Sequence, residues 1–303
     1  MKKITKILLT LGAVASLVGC TGKKDESFET DYITFGGYGL DQLNAFVENL
    51  SNKDYMSFNC SIVSKNELVG IYTRDTNIHY LVELDNLNYV YHLKTEYSET
   101  YVDFADPTEN TDDHGFYEIY FVFDNQKGLV VYENDDGDKE TGVMVTNDSI
   151  YGYCASEEYT LRRAVCEIAS NMVFDVNDVA YSGNIRDIYS YDTAEQFLGL
   201  EDGEVTEQKF VINPAKNDFS FVISGKCDTG STDVGETELK ATKTWKNEFK
   251  GGLLASVDNS VVSTEIYHVS ETETYRRNCS SSDTVSTSDK GAIVLPDFAD
   301  YID

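Results

Sequence analysis

Histidines are the first residues to consider, because the sequence contains only four and their side chains titrate near neutral pH. They are His79, His92, His114 and His268, and none has a second candidate ligand at the spacing of a metal site. His92 and Glu96 would share a strand face, but four residues at about 3.3 Å each place them about 13 Å apart. His114 is a possible ligand in an acidic loop, although a solvated loop histidine is the simpler interpretation. We therefore predict no metal centre at the histidines.

Acidic residues are abundant, with 53 Asp and Glu against 24 Lys and Arg, and the formal net charge is −29. This balance excludes nucleic-acid binding, because an acidic surface is repelled by phosphates. Asp135, Asp136, Asp138 and Glu140 lie in a predicted hairpin turn and could hold calcium. Their spacing departs from the Asp-x-Asp-x-Asp-Gly loop, so we prefer a solvated hairpin. A carboxylate pair for glycoside hydrolysis cannot be recognised among so many acids.

The motifs of common catalytic sites are missing from the sequence. It contains no His-Glu-x-x-His, no Gly-x-Ser-x-Gly and no Ser-x-x-Lys. The segment Gly36-Gly37-Tyr38-Gly39 has no strand before it and lacks the third glycine of a phosphate-binding loop, so we interpret it as a loop before the first helix. We predict a non-catalytic protein without a cofactor, and a hydrolase with an unrecognised carboxylate pair is the least favoured alternative.

The six cysteines predict no disulfide framework. Five of them follow Cys20 and none forms a Cys-x-x-Cys pair: Cys60, Cys154, Cys166, Cys227 and Cys279. An odd number leaves at least one thiol unpaired, and Cys60 and Cys166 lie in apolar patterns that are typical of buried thiols. One bridge between neighbouring strands stays open as an alternative.

The N-terminus is the most informative segment. Lysines within residues 2–6 precede a short apolar run at residues 7–15, which is typical of a secretory signal and too short for a usual membrane span. The next residues, Leu17-Val18-Gly19-Cys20, resemble the lipobox of bacterial lipoproteins. The resemblance implies cleavage between Gly19 and Cys20, and acylation of Cys20 with diacylglycerol and fatty acids such as palmitate. The alternative is an ordinary secreted protein, or a protein with an uncleaved anchor, in which the cysteine is accidental.

The lipobox resemblance implies a domain order and a location. We expect a signal peptide at residues 1–19, a lipidated tether at 20–30, a folded body at 31–279 and a flexible Ser/Thr-rich tail at 280–303. The mature protein would then be anchored to the extracytoplasmic face of the cell membrane through lipid on Cys20, since its acidic surface is repelled by anionic headgroups.

The body is predicted to be α+β, with a few helices packed on a large antiparallel sheet. The spacing of Leu40, Leu43, Val47 and Leu50 predicts a helix. Alternation with period two from Tyr55 onward and again within residues 205–269 predicts strands. Two further helices are predicted, one from Leu161, Val165, Ile168 and Met172, and a looser one at Thr193–Leu200. The body has either one sheet or two lobes that divide near residue 150.

A helix followed by a large sheet in an acylated protein is similar to the half-barrel lipoprotein carriers of the LolA and LppX type. That resemblance implies a strongly curved sheet around an apolar cavity for lipid, and it assigns no individual residues. Tyr89, Tyr91, Tyr117 and Tyr120 could line such a groove or bind glycans, although tyrosine is also an ordinary strand residue. We therefore expect binding of a lipid, another apolar ligand or a partner, with a surface-interaction or structural lipoprotein as the alternative.

Overall fold

A single antiparallel sheet dominates the protein. The computed structural model describes residues 27–124, 127–134, 139–145, 193–200, 203–231 and 233–297. The strands are β1 (Phe28–Glu29), β2 (Tyr55–Leu68), β3 (Tyr72–Asp85), β4 (Val90–Asp103), β5 (Thr111–Asp124), β6 (Lys127–Asn134), β7 (Lys139–Val145), β8 (Glu204–Asn213), β9 (Asp218–Asp228), β10 (Thr237–Lys250), β11 (Leu253–His268) and β12 (Thr274–Ser288). Two α-helices, α1 (Tyr32–Ser51) and α2 (Ala194–Leu198), and a 3-10 turn at Pro107–Glu109 complete the described elements.

The strand order joins the two parts of the sequence into one sheet. The order is β1-β8-β9-β10-β11-β12-β2-β3-β4-β5-β6-β7, and every pair is antiparallel. β2 to β7 form one meander and β8 to β12 another, and the pairing of β12 with β2 connects them. The sheet is open and curved, as the half-barrel prediction expected, but it dominates the fold more than an α+β class implies.

Strand β12 corrects the prediction of a flexible tail that begins at residue 280. Residues 280–288 lie in the middle of the sheet, with β11 on one side and β2 on the other. Val285 faces the core opposite Cys60 and Val257, and it is 3% exposed. The Ser/Thr composition suggested flexibility, but pairing on both edges satisfies the backbone of this segment, and one apolar side chain anchors it.

Helix α1 confirms the first predicted helix but begins earlier than expected. The side chain of Asp31 accepts a hydrogen bond from the Thr34 N–H (2.8 Å) and caps the helix, so Gly36-Gly37-Tyr38-Gly39 is helical and the loop prediction was wrong. At the other end, Asn86 donates to the carbonyl of Leu50 (3.1 Å). Leu50 is buried, whereas the side chains of Leu40, Leu43 and Val47 lie outside the described residues.

The core lies between α1 and one face of the sheet, here called the helix-bearing face. Phe46 of α1 is fully buried, and its ring meets those of Phe58 and Phe249 edge-on, with centroids 6.1 and 6.4 Å away. Phe249 in turn stacks on Phe219 at 4.4 Å. Each such side chain contributes about 1.5–3 kcal/mol by leaving water, so the aromatic cluster fixes the helix on the sheet.

Helix α2 confirms the looser helix predicted near Thr193, whose hydroxyl accepts from the Gln196 N–H (3.2 Å) as the N-cap. Leu198 is buried against β9, where Gly225 leaves room for it. The Nζ of Lys243 donates to the carbonyl of Leu198 (2.6 Å), a suitable position for a cation at a helix C-terminus. The helix predicted at Leu161, Val165, Ile168 and Met172 lies outside the described residues.

The two ends of the sheet carry different sets of turns and loops. At the near end, the turns at 86–89, 214–217 and 251–252 lie close to the C-terminus of α1, as the hydrogen bond from Asn49 to the Gly252 carbonyl (3.1 Å) shows. At the opposite end lie the turns at 69–71, 104–110 and 269–273 and the loop of residues 229–231 and 233–236. These four loops are called the far rim below.

Candidate functional site

The histidines do not come together at one place. His79, His92 and His114 lie on the face opposite α1, and His268 ends β11. Glu96 approaches His79 (3.7 Å) rather than His92. In the described part of the chain, no three His, Cys, Asp or Glu side chains are grouped so that they could hold a metal ion.

Several other candidate residues fall outside the described residues. They are Gly19, Cys20, Asp135, Asp136, Asp138, Cys154 and Cys166. Glu140 lies in β7, but its side chain is not described. Cys60, Cys227 and Cys279 are free thiols, and burial raises the pKa of Cys60 to about 12, so that thiol stays protonated in the native protein.

A buried carboxylate–imidazole–carboxylate network crosses β3, β4 and β5 on the face opposite α1. The Nδ1 of His92 lies 2.6 Å from Oε2 of Glu83, and its Nε2 lies 2.7 Å from Oε1 of Glu118. Two tyrosines extend the network, because Tyr55 donates to Glu83 (2.5 Å) and Tyr120 donates to Glu118 (2.8 Å). The Tyr120 ring also stacks on the imidazole at 4.3 Å.

Hydrogen bonds favour the charged forms of His92, Glu83 and Glu118, although burial disfavours them. Burial alone would lower the pKa of His92, but the hydrogen bonds to Glu118 and Glu83 outweigh it and raise that pKa. Burial would likewise raise the pKa of Glu83, yet the hydrogen bond from His92 brings it below the ordinary value. The pKa of Glu118 is lowered, chiefly by its hydrogen bond with His92. Between pH 4.5 and 6.5, the ordinary pKa values of the two residue types, the network therefore holds an imidazolium between two carboxylates.

This network is suited to structure rather than catalysis. Both ring nitrogens of His92 are engaged, and both carboxyl groups are ionised, so neither acid has the raised pKa of a general acid. The chain after β12 passes over the network, because a Cβ on Gly291 would lie 2.5 Å from the Tyr55 hydroxyl oxygen. No local sequence pattern reveals the network, because its members become neighbours only through strand register.

The tyrosines singled out in the sequence do not form one surface. Tyr91 is 1% exposed in the core and donates to Asn86 (3.3 Å), whereas Tyr120 lies on the opposite face. Tyr89 lies in the turn between β3 and β4, with φ of 55°, and not in a strand. The side chain of Tyr117 lies outside the described residues.

The far rim is a continuous structure held together by backbone hydrogen bonds. The Gly235 N–H donates to the His268 carbonyl (2.7 Å), which ties the β9–β10 loop to the end of β11. The Val69 N–H donates to the Arg276 carbonyl (2.9 Å), and the Phe104 N–H donates to the Ile71 carbonyl (2.8 Å). Neighbouring loops are therefore fixed relative to one another. The middle of the β9–β10 loop and the middle of the β4–β5 loop are six strand spacings apart, about 29 Å.

Apolar side chains are exposed in all four loops of the far rim. Val69, Phe104, Val234 and Val269 each have between 37% and 56% of their surface exposed. Single exposed apolar residues are ordinary on protein surfaces, but here one lies on each of four neighbouring loops, so the far rim is a candidate interaction surface. No periodic sequence pattern reveals this rim, because its apolar residues lie in turns, one or two at a time.

A cavity of about 470 Å³ opens at the far rim, on the helix-bearing face. Its wall is mostly apolar in area but includes hydroxyl and carboxylate groups, and it consists of Thr229, Ser231, Glu236, Thr237, Leu239 and Glu265. Tyr267, 45% exposed, pairs with Thr237 across the strands and lies beside Tyr275, which is 43% exposed. The cavity therefore offers hydrogen-bond acceptors and negative charge next to two exposed aromatic rings.

Comparisons with known proteins give no family. No protein-family model and no curated protein matches the chain. A structure of lipid–protein interactions in lipovitellin is similar at 8% identity and a TM-score of 0.29, over 81% of this chain and 26% of lipovitellin. The translocator domain of the autotransporter NalP from Neisseria meningitidis is similar at 7% identity and a TM-score of 0.18, over 84% and 96% of the two chains. At these TM-scores, neither carries an argument about function.

Among the helices of the described ranges, none combines the length and the apolar character needed to cross a bilayer.

Proposed function

We propose that the protein is a membrane-anchored extracytoplasmic lipoprotein that binds a partner through the far rim of its curved sheet and has no catalytic activity. The observation that carries the proposal is the set of four adjacent loops with exposed apolar residues at one end of the sheet. Rigid exposed apolar groups favour association, because little conformational freedom is lost when they are covered.

The place where the tether joins the body supports a far rim that is directed away from the membrane. β1 pairs with β8 at Ile212 and Val211, next to the near end of the sheet, so the segment that leads from Cys20 joins the body there. Seven residues separate Cys20 from Phe28, and the eight steps between the two Cα atoms reach at most about 29 Å. Strands of fourteen residues extend the far rim about 46 Å from the near end. A lipid on Cys20 would thus leave the rim directed away from the membrane.

Lipid anchoring is tested by metabolic labelling with an alkyne analogue of palmitate in bacteria that express the full chain. The wild type is expected to incorporate the label and to sediment with membranes. The Cys20→Ser variant is expected to lose both properties, because the acylated thiol is gone. Labelling that persists in the variant would overturn the anchoring proposal.

Binding at the rim is tested by a photo-crosslinking amino acid in intact cells. Phe104 in the rim and Val262 on the face opposite α1 are matched sites, since both are apolar and their exposed fractions are 53% and 58%. A discrete crosslinked product is expected from position 104 and none from position 262. The same products from both positions, or none from 104, would contradict the proposal.

A further inference from the structure

We infer that the partner of the far rim is a basic polypeptide segment, an inference that rests on the proposed function and adds the chemistry of the partner. The sequence of the rim and its strand ends, residues 65–75, 99–113, 228–240 and 265–277, contains fifteen acidic and five basic residues. Such an excess attracts cationic groups and repels anionic ones. The rim is therefore selective for charge as well as for apolar contact.

Most basic residues at the rim are already paired with acids. Lys65 binds Asp75 (3.2 Å) and Lys240 binds Glu238 (2.7 Å). Arg74 binds Glu99 (2.7 Å) in the same way. By contrast, several rim acids have no basic partner among the described residues, and they are Asp106, Glu109, Asp233, Glu236, Glu271 and Glu273. The unpaired charge is consequently negative and lies in the loops that carry the exposed apolar residues.

The cavity at the rim matches a lysine or arginine side chain. Glu236 and Glu265 provide two carboxylates, and the aliphatic stem of a long basic side chain can lie on Leu239. Tyr267 stands at the adjacent strand position, where its ring can contact a cation through its face. Glu265 is held only loosely by Arg277, at 3.8 Å, which leaves its charge accessible.

The shape of the rim indicates an elongated occupant. Its apolar residues are spread along about 29 Å, which an extended segment of about nine residues would cover. Successive side chains of an extended segment point to opposite faces, so pairs of basic residues that alternate with pairs of apolar residues place both types on the face toward the rim. The apolar groups would then contact Val69, Phe104 and Val234, and the cations would contact the acids between them. A small ion or a free amine would not use the apolar residues.

The inference is tested by fluorescence anisotropy with the full chain and a labelled peptide of about ten residues in which Lys-Lys and Leu-Leu pairs alternate, so that both residue types lie on each face of the extended peptide. Binding is expected to weaken as salt rises from about 0.05 to 0.5 M. Replacing Leu with Ser in the peptide is expected to weaken binding at least tenfold, and replacing Lys with Glu is expected to abolish it. Binding of the Glu–Leu peptide would overturn the inference.

Two sets of variants locate the binding. Combined Phe104→Ser and Val234→Ser substitutions are expected to weaken binding about tenfold, while Val262→Ser leaves it unchanged. Glu236→Gln, Glu271→Gln and Glu273→Gln together are expected to weaken it similarly, whereas Asp41→Asn, Glu48→Gln and Glu207→Gln, which are exposed elsewhere, leave it within twofold.

If the rim substitutions and the control substitutions weaken peptide binding equally, binding depends only on the overall negative charge of the protein, and the inference is overturned. If the peptide fails to bind but crosslinking at position 104 still captures a partner, the proposed function stands and the partner is not basic. If crosslinking also fails, both proposals are overturned.

Discussion

The Nε2 of His92 lies 2.7 Å from Oε1 of Glu118, and this contact joins β4 to β5 on the face opposite the core. The imidazole also reaches Glu83 of β3, so one side chain links three strands. Hydrogen bonds and opposite charges here replace the apolar packing that holds the other face. The network is therefore expected to contribute to stability in a way that depends on pH.

Stability is predicted to depend on His92 most strongly in weakly acidic solution. The pKa of His92 is raised above 6.5, so its contribution is complete below pH 6.5 and is lost as the pH rises through the folded-state pKa. The pKa values of Glu83 and Glu118 lie below 4.5, so their contribution is complete above pH 4.5 and is lost on further acidification. His92→Gln is expected to lower the free energy of unfolding by about 3 kcal/mol between these limits.

Urea denaturation at several pH values measures this effect. His79→Gln is the matched control, because His79 is 40% exposed, and its effect should stay within about 0.5 kcal/mol. A destabilisation by His92→Gln that grows as the pH rises above 6.5 would contradict the assignment of a charged imidazole.

Two glycines are predicted to respond to alanine with opposite signs. At Gly225, a Cβ would lie 2.4 Å from Cδ1 of Leu198, so Gly225→Ala should displace α2 and cost about 1–3 kcal/mol. At Gly37, an exposed residue of α1, a Cβ meets nothing within 4 Å, and alanine should stabilise the helix by about 0.5–1 kcal/mol. Thermal unfolding followed by circular dichroism compares the two, and destabilisation by Gly37→Ala would contradict the helical assignment of that segment.

All five cysteines that follow Cys20 are predicted to be free thiols. Cys60, Cys227 and Cys279 are free in the structure, whereas the states of Cys154 and Cys166 are predicted from the sequence alone. Iodoacetamide and mass spectrometry of denatured, unlipidated protein should therefore find five alkylated cysteines. Without denaturant, Cys60 should remain unmodified, because its pKa of about 12 leaves almost no thiolate. Three alkylated cysteines after denaturation would instead indicate one disulfide.

Carriage of an apolar ligand is a separate prediction, and native mass spectrometry of residues 21–303 tests it. The protein is expressed with membranes present and purified without detergent. A stoichiometric lipid that is released on denaturation would support carriage within the sheet. Because the far rim requires no bound lipid, a mass equal to that of the polypeptide is expected if partner binding is the main role.

The sequence predicted elements well where one face of an element is apolar. Val82 and Leu84 alternate with polar residues and form the expected strand in β3, and Leu50 is buried in the last turn of the expected helix α1. Prediction from the sequence failed for a segment whose own side chains are mostly polar and whose strand structure depends on pairing with neighbouring strands. Residues 280–288 contain mostly Ser and Thr and were interpreted as a tail, yet β2 and β11 pair with both edges of the segment and make it a central strand.

The candidate sites likewise include features that the sequence shows directly and features that only the fold creates. Sequence alone determined the acidic charge, the absence of common catalytic motifs and the lipobox-like pattern at Cys20, because these are properties of composition and of contiguous residues. Only the tertiary structure brought His92 between Glu83 and Glu118, and Val69, Phe104 and Val234 onto one rim. These residues are far apart along the chain, and strand register and order make them neighbours, which no local pattern encodes.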